Sequence, residues 1–491
     1  MMAMLFPGFP HAETLSAWRE QVAQALRQGQ RLLSLFGRTQ APSRHVVVTA
    51  LLLTHGGLTV LRGQGQLGET YQSLSTEFPA AQIYERELWE QTGIVPTQHP
   101  WLKPVRFEGA GLGQCDAYPF FSMRGAEIHE VGVGPIHAGV IEPGHFRFQC
   151  HGETVHHLEI QLGYQHRGIE SLLLLRPPHM QSALVESLVG DSVIAYASAY
   201  FGALEQLALR PAAVAVEASR AIALELERMA MHVATLTGLA TDLAFGQASG
   251  TYQRLRTALI NATQKICGNR FGKGWIRSGC AAPLNKTQRA ELAQTLEHFL
   301  RDFVQVNHLV RTRRSVQTRF QGIGVLTTQA AIDLGLTGVI ARASAVPFDL
   351  RSALPHALNA EHTPITQSTG DCWARMCQRM DEAEASAQWL LLQLANTACD
   401  LECHSSQSPA HAATDWPLSP NTLAISVIEG VRGVVMVAME TDGTGRPLHI
   451  KVQDPSLANW FGLAQALRGQ QISDFPICNK SFDLSYCGND L

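Results

Sequence analysis

The feature that most constrains this chain is a long stretch of helical periodicity. From Met180 to about Gly246, alanine and leucine form stripes at helical spacing, and further helical tracts follow over Thr287–Phe320 and Asp371–Leu401. Tracts of this length must bury their stripes against one another, so this part reads as one large, mainly helical domain. Short alternating segments sit at its edges. His145–Gln149 and Val155–Ile160 flank His151-Gly152-Glu153, and Gly433–Glu440 and Leu448–Val452 flank Thr441-Asp442-Gly443-Thr444-Gly445, as in two hairpins. Ser456–Leu491 mixes a helix, Trp460–Leu467, with an irregular tail.

The opening of the chain has a different pattern. Leu15, Trp18, Val22, Ala25 and Leu26 predict an amphipathic helix over Ala12–Phe36. His45–Leu53 and Leu58–Gln64 predict two strands around Thr54-His55-Gly56-Gly57. Tyr84–Gln91 predicts a short helix, ended by Gly93 and Pro96. Glu108–Val133 is Gly-rich and aperiodic, as a linker is. The expected class is α+β, with a small N-terminal α+β domain over residues 1–125. A large, mainly helical domain with peripheral antiparallel sheets is expected over 126–491.

Composition narrows the function classes. A net charge of −4 gives no basic surface for nucleic acid. No apolar run reaches the ~18 residues of a membrane span; Val46–Leu61 and Trp389–Leu401 are interrupted by Gly, His, Gln, Asn or Asp. Met1–Pro10 lacks a basic segment and is broken by Pro7 and Pro10, so no secretion signal is expected. The expected compartment is the cytoplasm, with reduced thiols. The ten cysteines are Cys115, Cys150, Cys267, Cys280, Cys372, Cys377, Cys399, Cys403, Cys478 and Cys487. Cys399-x3-Cys403-His404 is the nearest approach to a ligand cluster. No second pair has zinc spacing, so these read as thiols at a helix end. Cys372 and Cys377 would not share a helix face well, and His156 and His157 point to opposite faces of a strand. Gly322-Ile323-Gly324 lacks the third glycine and the lysine of a phosphate loop.

A series of short motifs is more specific. In order, they are Gly134-Pro135-Ile136-His137, Glu142-Pro143-Gly144-His145-Phe146, His166-Arg167-Gly168-Ile169-Glu170, and Glu225-Leu226-Glu227-Arg228 with His232 and Asp242. Gly268-Asn269-Arg270-Phe271, Gly338 with Arg342-Ala343-Ser344, Asp349-Leu350-Arg351, Glu429, Arg432-Gly433 and Asp454-Pro455-Ser456 follow. Together they resemble the superfamily of nickel–iron hydrogenase large subunits and the respiratory complex I 49-kDa subunit. The resemblance is strongest to the group 4, formate hydrogenlyase type. Glu85-Arg86-Glu87-Leu88-Trp89, Gly93-Ile94 and His99-Pro100-Trp101-Leu102-Lys103 resemble the complex I 30-kDa subunit, which precedes the large subunit in several fused proteins of this kind.

The departures from that family bear on chemistry. Its metal centre takes four thiolates from two Cys-x-x-Cys pairs. Here the corresponding positions are Val189, Ser192, Ser485 and Gly488, with Cys487 one residue out of register. No nickel–iron centre is expected. The family's quinone-binding tyrosine and histidine fall at Gly190 and Ile141. The resemblance nevertheless implies a charged cavity of Glu142, Asp191, Asp242, Arg432 and Asp483, the candidate catalytic set. In it, Asp191 or Asp483 would partner Arg432. His137, His145, Arg167 and His232 are the candidate cofactor-side residues, near a 4Fe-4S cluster held by a partner subunit. The implied partners are an iron–sulfur small subunit, a ferredoxin-like electron-transfer subunit and antiporter-like membrane-arm subunits. The implied location is peripheral, on the inner face of the cytoplasmic membrane, with quinone or another acceptor. A scaffold without catalysis is the second reading, and an active hydrogenase with an unusual site the third.

Overall fold

The computed structural model describes residues 2–40, 42–54, 57–108, 117–139, 141–354, 362–396 and 416–491. The small sheet has the order Ala12–Thr14, Gly57–Gln66, His45–Thr54, Arg31–Gln40, its first pair parallel and the others antiparallel. The helix expected over Ala12–Phe36 is shorter, Leu15–Arg27, and Arg31–Gln40 is a strand instead. Local chemistry sets both ends. Thr14 Oγ1 accepts from the Ala17 amide at 3.3 Å, and Gly29 at φ +83° turns the chain out of the helix. Trp18 then lies over Gly63, where a Cβ would come within 2.8 Å of it.

The other face of this sheet is also buried. Leu33, Phe36, Leu51 and Leu53 pack against Ile425, Val427, Val434 and Met436. Those residues belong to a second antiparallel sheet, ordered Met2–Pro7, Thr422–Gly430, Gly433–Thr441, Pro447–Gln453. The first strand of the chain thus pairs with a strand near its other end, Met4 opposite Ile425. The Val193–Leu207 helix covers the far side of that sheet, so Thr422–Gly430 is buried along its whole length. Lys451 crosses the seam between the sheets and the small-domain helix, 2.7 Å from Glu87 and 3.1 Å from Glu170.

The helical body centres on Val214–Asp242, flanked by Gly246–Cys267 and Cys372–Ala395; Lys286–Thr312 packs on the latter two. A third sheet joins Thr154–Gln161, His145–His151 and Ile128–Val133. Both expected hairpins are therefore present, and the fold is α+β. The expected linker Glu108–Val133 includes the strand Ile128–Val133. Cys115, Cys399, Cys403, His404 and the turn residues His55 and Gly56 lie outside the described residues.

Candidate functional site

Arg432 organises the site. It sits in the turn Gly430-Val431-Arg432-Gly433 between two strands, and that turn is pressed on Gly338. A Cβ on Gly338 would collide with the Arg432 carbonyl oxygen. The guanidinium is thereby aimed at the loop before the Val193–Leu207 helix. Its Nη1 and Nη2 each donate to Asp191 at 2.8 Å, a bidentate pair. Its Nε donates to the Asp483 carbonyl at 2.5 Å, and Nη2 lies 3.8 Å from the Asp483 carboxylate. Both carboxylates expected to partner it do so. Burial alone would lower the Arg432 pKa, but Asp191 and Asp483 outweigh it and hold the arginine charged.

Asp483 ends the Phe475–Phe482 helix in the left-handed conformation, φ +55°. Its carboxylate accepts from Thr235 at 2.6 Å and from Lys480 at 3.1 Å. Burial pushes its pKa up, yet Lys480, Arg432 and Arg379 together hold it well below the usual carboxylate range. Glu142 lies near the last helix, its Oε2 accepting from the Cys487 amide at 3.4 Å. Asp242 does not join the cluster. It is exposed at the last residue of the central helix.

The four positions that the resemblance sets at the family's thiolates are held by packing or hydrogen bonds. Val189 is buried in the core. Ser192 precedes the Val193–Leu207 helix, its Oγ 3.4 Å from Arg432 Nη1. Ser485 Oγ caps the last helix, Tyr486–Asp490, by accepting from the Gly488 amide at 2.9 Å. At Gly488 a Cβ would collide with Asp454 Oδ2. That carboxylate also accepts from the Tyr196 hydroxyl, and burial raises its pKa. Cys487 stands beside this group, 3.5 Å from Ser485 Oγ, and burial pushes its thiol up to about 11.

The four candidate cofactor-side residues divide. His137 Nε2 bonds the Gly144 carbonyl at 2.8 Å and His145 Nδ1 bonds the Gly134 carbonyl at 3.0 Å, so the two rings brace the loop that carries Glu142. Exposed Arg167 reaches the Ser187 and Leu188 carbonyls, both at 2.9 Å, and ties that loop to the chain end. His232 is deep in the helical body, its Nε2 3.0 Å from Glu382. Burial lowers its pKa to about 4.

Two features escaped sequence reasoning. Glu227 accepts from the Ile194 and Ala195 amides at 2.6 and 3.1 Å, at the start of the Val193–Leu207 helix, and burial raises its pKa to about 8. Behind the site lies a dense ionic network. Arg342 donates to Glu382 at 2.7 Å and to Glu429 at 2.8 Å, and lies 3.2 Å from Asp349. Arg351 joins Asp349 to Glu225. The available signal was spacing: Glu225, Arg228, His232 and Thr235 recur every three or four residues, as do Cys372, Arg375, Arg379 and Glu382.

Comparison with known families places the sequence around this site. Residues 246–490 match the model described as "Respiratory-chain NADH dehydrogenase, 49 Kd subunit", and residues 15–109 match "Respiratory-chain NADH dehydrogenase, 30 Kd subunit". The chain belongs to the superfamily of complex I 49-kDa subunits and nickel–iron hydrogenase large subunits. Within that superfamily its relatives come from both branches. It is 29% identical to the carbon monoxide-induced hydrogenase of Rhodospirillum rubrum, over 72% of this chain and 97% of that one. It is 24% identical to hydrogenase-4 component G of Escherichia coli K12, over 86% and 76%. It is 26% identical to the NADH-quinone oxidoreductase D-subunit of Clostridium beijerinckii, over 72% and 94%.

The superfamily implies a metal or a quinone, and this chain's residues fit neither in the usual way. Val189, Ser192, Ser485 and Gly488 offer no thiolate, and Asp454 fills the space a side chain at Gly488 would need. Gly190 and Ile141, where the resemblance sets the family's quinone-binding tyrosine and histidine, carry no polar side chain. Among the described residues, no helix is long and apolar enough to cross a membrane.

Proposed function

We propose that this chain is the large subunit of a membrane-associated oxidoreductase complex of the complex I and group 4 hydrogenase type, working without a nickel–iron centre. It packs on an iron–sulfur small subunit, with a ferredoxin-like subunit and antiporter-like membrane-arm subunits completing the assembly. Its position is peripheral, on the inner face of the cytoplasmic membrane. The observation that supports this reading is a charged, hydrogen-bonded cluster beside the four positions that the resemblance assigns to the metal-binding cysteines. Asp191, Arg432 and Asp483 remain paired there, with Glu142 beside them. Negative charge arriving on a neighbouring iron–sulfur cluster raises the proton affinity of nearby carboxylates and favours proton uptake. The charged cluster therefore couples electron arrival to proton movement, with quinone or another acceptor taking the electrons. Gly190 and Ile141 stand where the resemblance sets the family's quinone-binding tyrosine and histidine, so an acceptor would be held by other groups than those two.

The test is turnover of the purified complex with a panel of quinones, together with metal analysis. Quinone reduction that falls in Glu142→Gln, without stoichiometric nickel, supports the reading. No turnover with any quinone, and no change in Glu142→Gln, sinks the redox role. Nickel at one atom per chain overturns the metal assignment. The scaffold reading draws on the close packing at Gly488 and Val189. The cysteines of the neighbouring small subunit separate the two: a subunit lacking ligands for a proximal cluster favours the scaffold.

A further inference from the structure

One pair of cysteines lies outside the cluster just described. Cys372 is the first residue of the Cys372–Ala395 helix, and Cys478 lies within Phe475–Phe482, the helix that ends at Asp483. A single guanidinium nitrogen joins them: Arg375 Nη2 is 3.3 Å from Cys372 Sγ and 3.8 Å from Cys478 Sγ. Ser481 Oγ lies 3.5 Å from Cys372 Sγ. The same Nη2 donates to the Gly324 carbonyl at 3.0 Å, while Nε donates to Ser481 Oγ and Nη1 to the Gly370 carbonyl, both at 2.8 Å, so the cation is fixed in place. Both thiols are buried, and Gly324 packs directly on them. Gly324, at φ +62°, leaves no room for a side chain, since its Cβ would collide with Cys478 Sγ, and Gly322 beside it is exposed. Gly322-Ile323-Gly324 is thus a close-approach loop over two thiols.

We propose that Cys372 and Cys478 form a dithiol–disulfide site that a small hydroperoxide oxidises, linking the Cys372–Ala395 and Phe475–Phe482 helices. Three conditions favour a thiolate at Cys372: the helix N-terminus, the arginine and the Ser481 hydroxyl. Burial works against ionisation, yet hydrogen bonding from Cys478 and the charge of Arg375 outweigh it and lower the Cys372 pKa to about 6. Burial and the adjacent Cys372 raise Cys478, which stays a thiol. Burial likewise raises Cys150, Cys267, Cys377 and Cys487. In the first step the Cys372 thiolate attacks one peroxide oxygen. The O–O bond breaks, the departing hydroxide takes a proton to become water, and Cys372 is left as a sulfenic acid. In the second, Cys478 loses its proton and attacks the Cys372 sulfur. The S–O bond breaks, the hydroxyl leaves as a second water, and the disulfide forms. Overall two thiols and one hydrogen peroxide give one disulfide and two waters.

The experiment treats the full-length folded chain with hydrogen peroxide, then blocks free thiols and maps cross-linked peptides. The expected result is a reducible Cys372–Cys478 peptide pair with loss of two hydrogens in intact mass. Cys478→Ser is expected to stop at the first step, with dimedone labelling at Cys372, and the labelling rate is expected to rise with pH through about 6. Oxidation confined to half-exposed Cys267 or Cys487 overturns the proposal. So does folded Cys478→Ser that leaves Cys372 unlabelled.

Discussion

Two clusters of buried charge sit on neighbouring faces of the helical body, and they are built differently. Around Arg342, every partner is sealed: Glu382, Glu429 and Asp349 are 4%, 0% and 0% exposed at their side chains. Around Arg432, Asp191 remains 31% exposed and Asp483 16%. The same residue types serve two ends. The sealed network holds the Cys372–Ala395 helix against the central helix and the second sheet, through Glu382, His232 and Glu429. The cluster around Arg432 keeps a face toward solvent. A group that must exchange protons needs such a face, and a structural ion pair does not.

Breaking the sealed network has the largest expected effect. Arg342→Met leaves three carboxylates buried near one another without their shared cation, at a cost of about 3–5 kcal/mol. Chemical unfolding read by circular dichroism checks this, and a variant as stable as the parent removes the contrast between the clusters. Gly488→Cys comes next, because it places a thiol where the resemblance sets a metal ligand. The new side chain must displace Asp454 from Tyr196, costing about 1–3 kcal/mol in a well-packed site. A thermal midpoint equal to that of the parent chain shows room for a ligand and weakens the reading of a filled metal site.

Much of the fold was legible because it is local. The Leu15–Arg27 helix, the hairpins and the Gly93 stop each rest on residues a few positions apart. Leu32, Leu33, Leu35 and Phe36 misled because an apolar run fits a helix or a strand buried on both faces. Only the partner sheet at Thr422–Gly430 decides, and that contact is remote in sequence. The pairing of Met2–Pro7 with Thr422–Gly430 is illegible for the same reason. At the site, the Arg432 carboxylates were readable since a buried guanidinium demands them. The partner of His232 was not readable, because Glu382, which holds it in the core, lies far along the chain.

That histidine supplies the smallest expected effect. His232 is fully buried, with Glu382 on its Nε2 and the charges of Arg379 and Arg228 nearby. Burial is the main force lowering its pKa to about 4; Glu382 opposes it, while Arg379 and Arg228 add to it. An unfolded chain protonates a histidine near pH ~6.5. Between these two values the unfolded state binds more protons, so stability is full above about pH 6.5 and is lost as pH falls through the window. The slope is at most about 1.4 kcal/mol per pH unit, or about 1 kcal/mol between pH ~6.5 and ~5.5. Burial alone would raise the pKa of Glu382, but Arg342 and His232 hold it well below its ordinary value of 4.5, so its own loss of stability begins only below that pH. Replacing His232 with glutamine keeps a donor toward Glu382 and removes the titration. Urea midpoints measured from about pH 7 to about pH 5 are expected to fall more steeply for the parent chain than for His232→Gln. Parallel curves would mean that His232 titrates in the folded chain as it does in the unfolded one, and the sealed network would then be no drier than the cluster around Arg432.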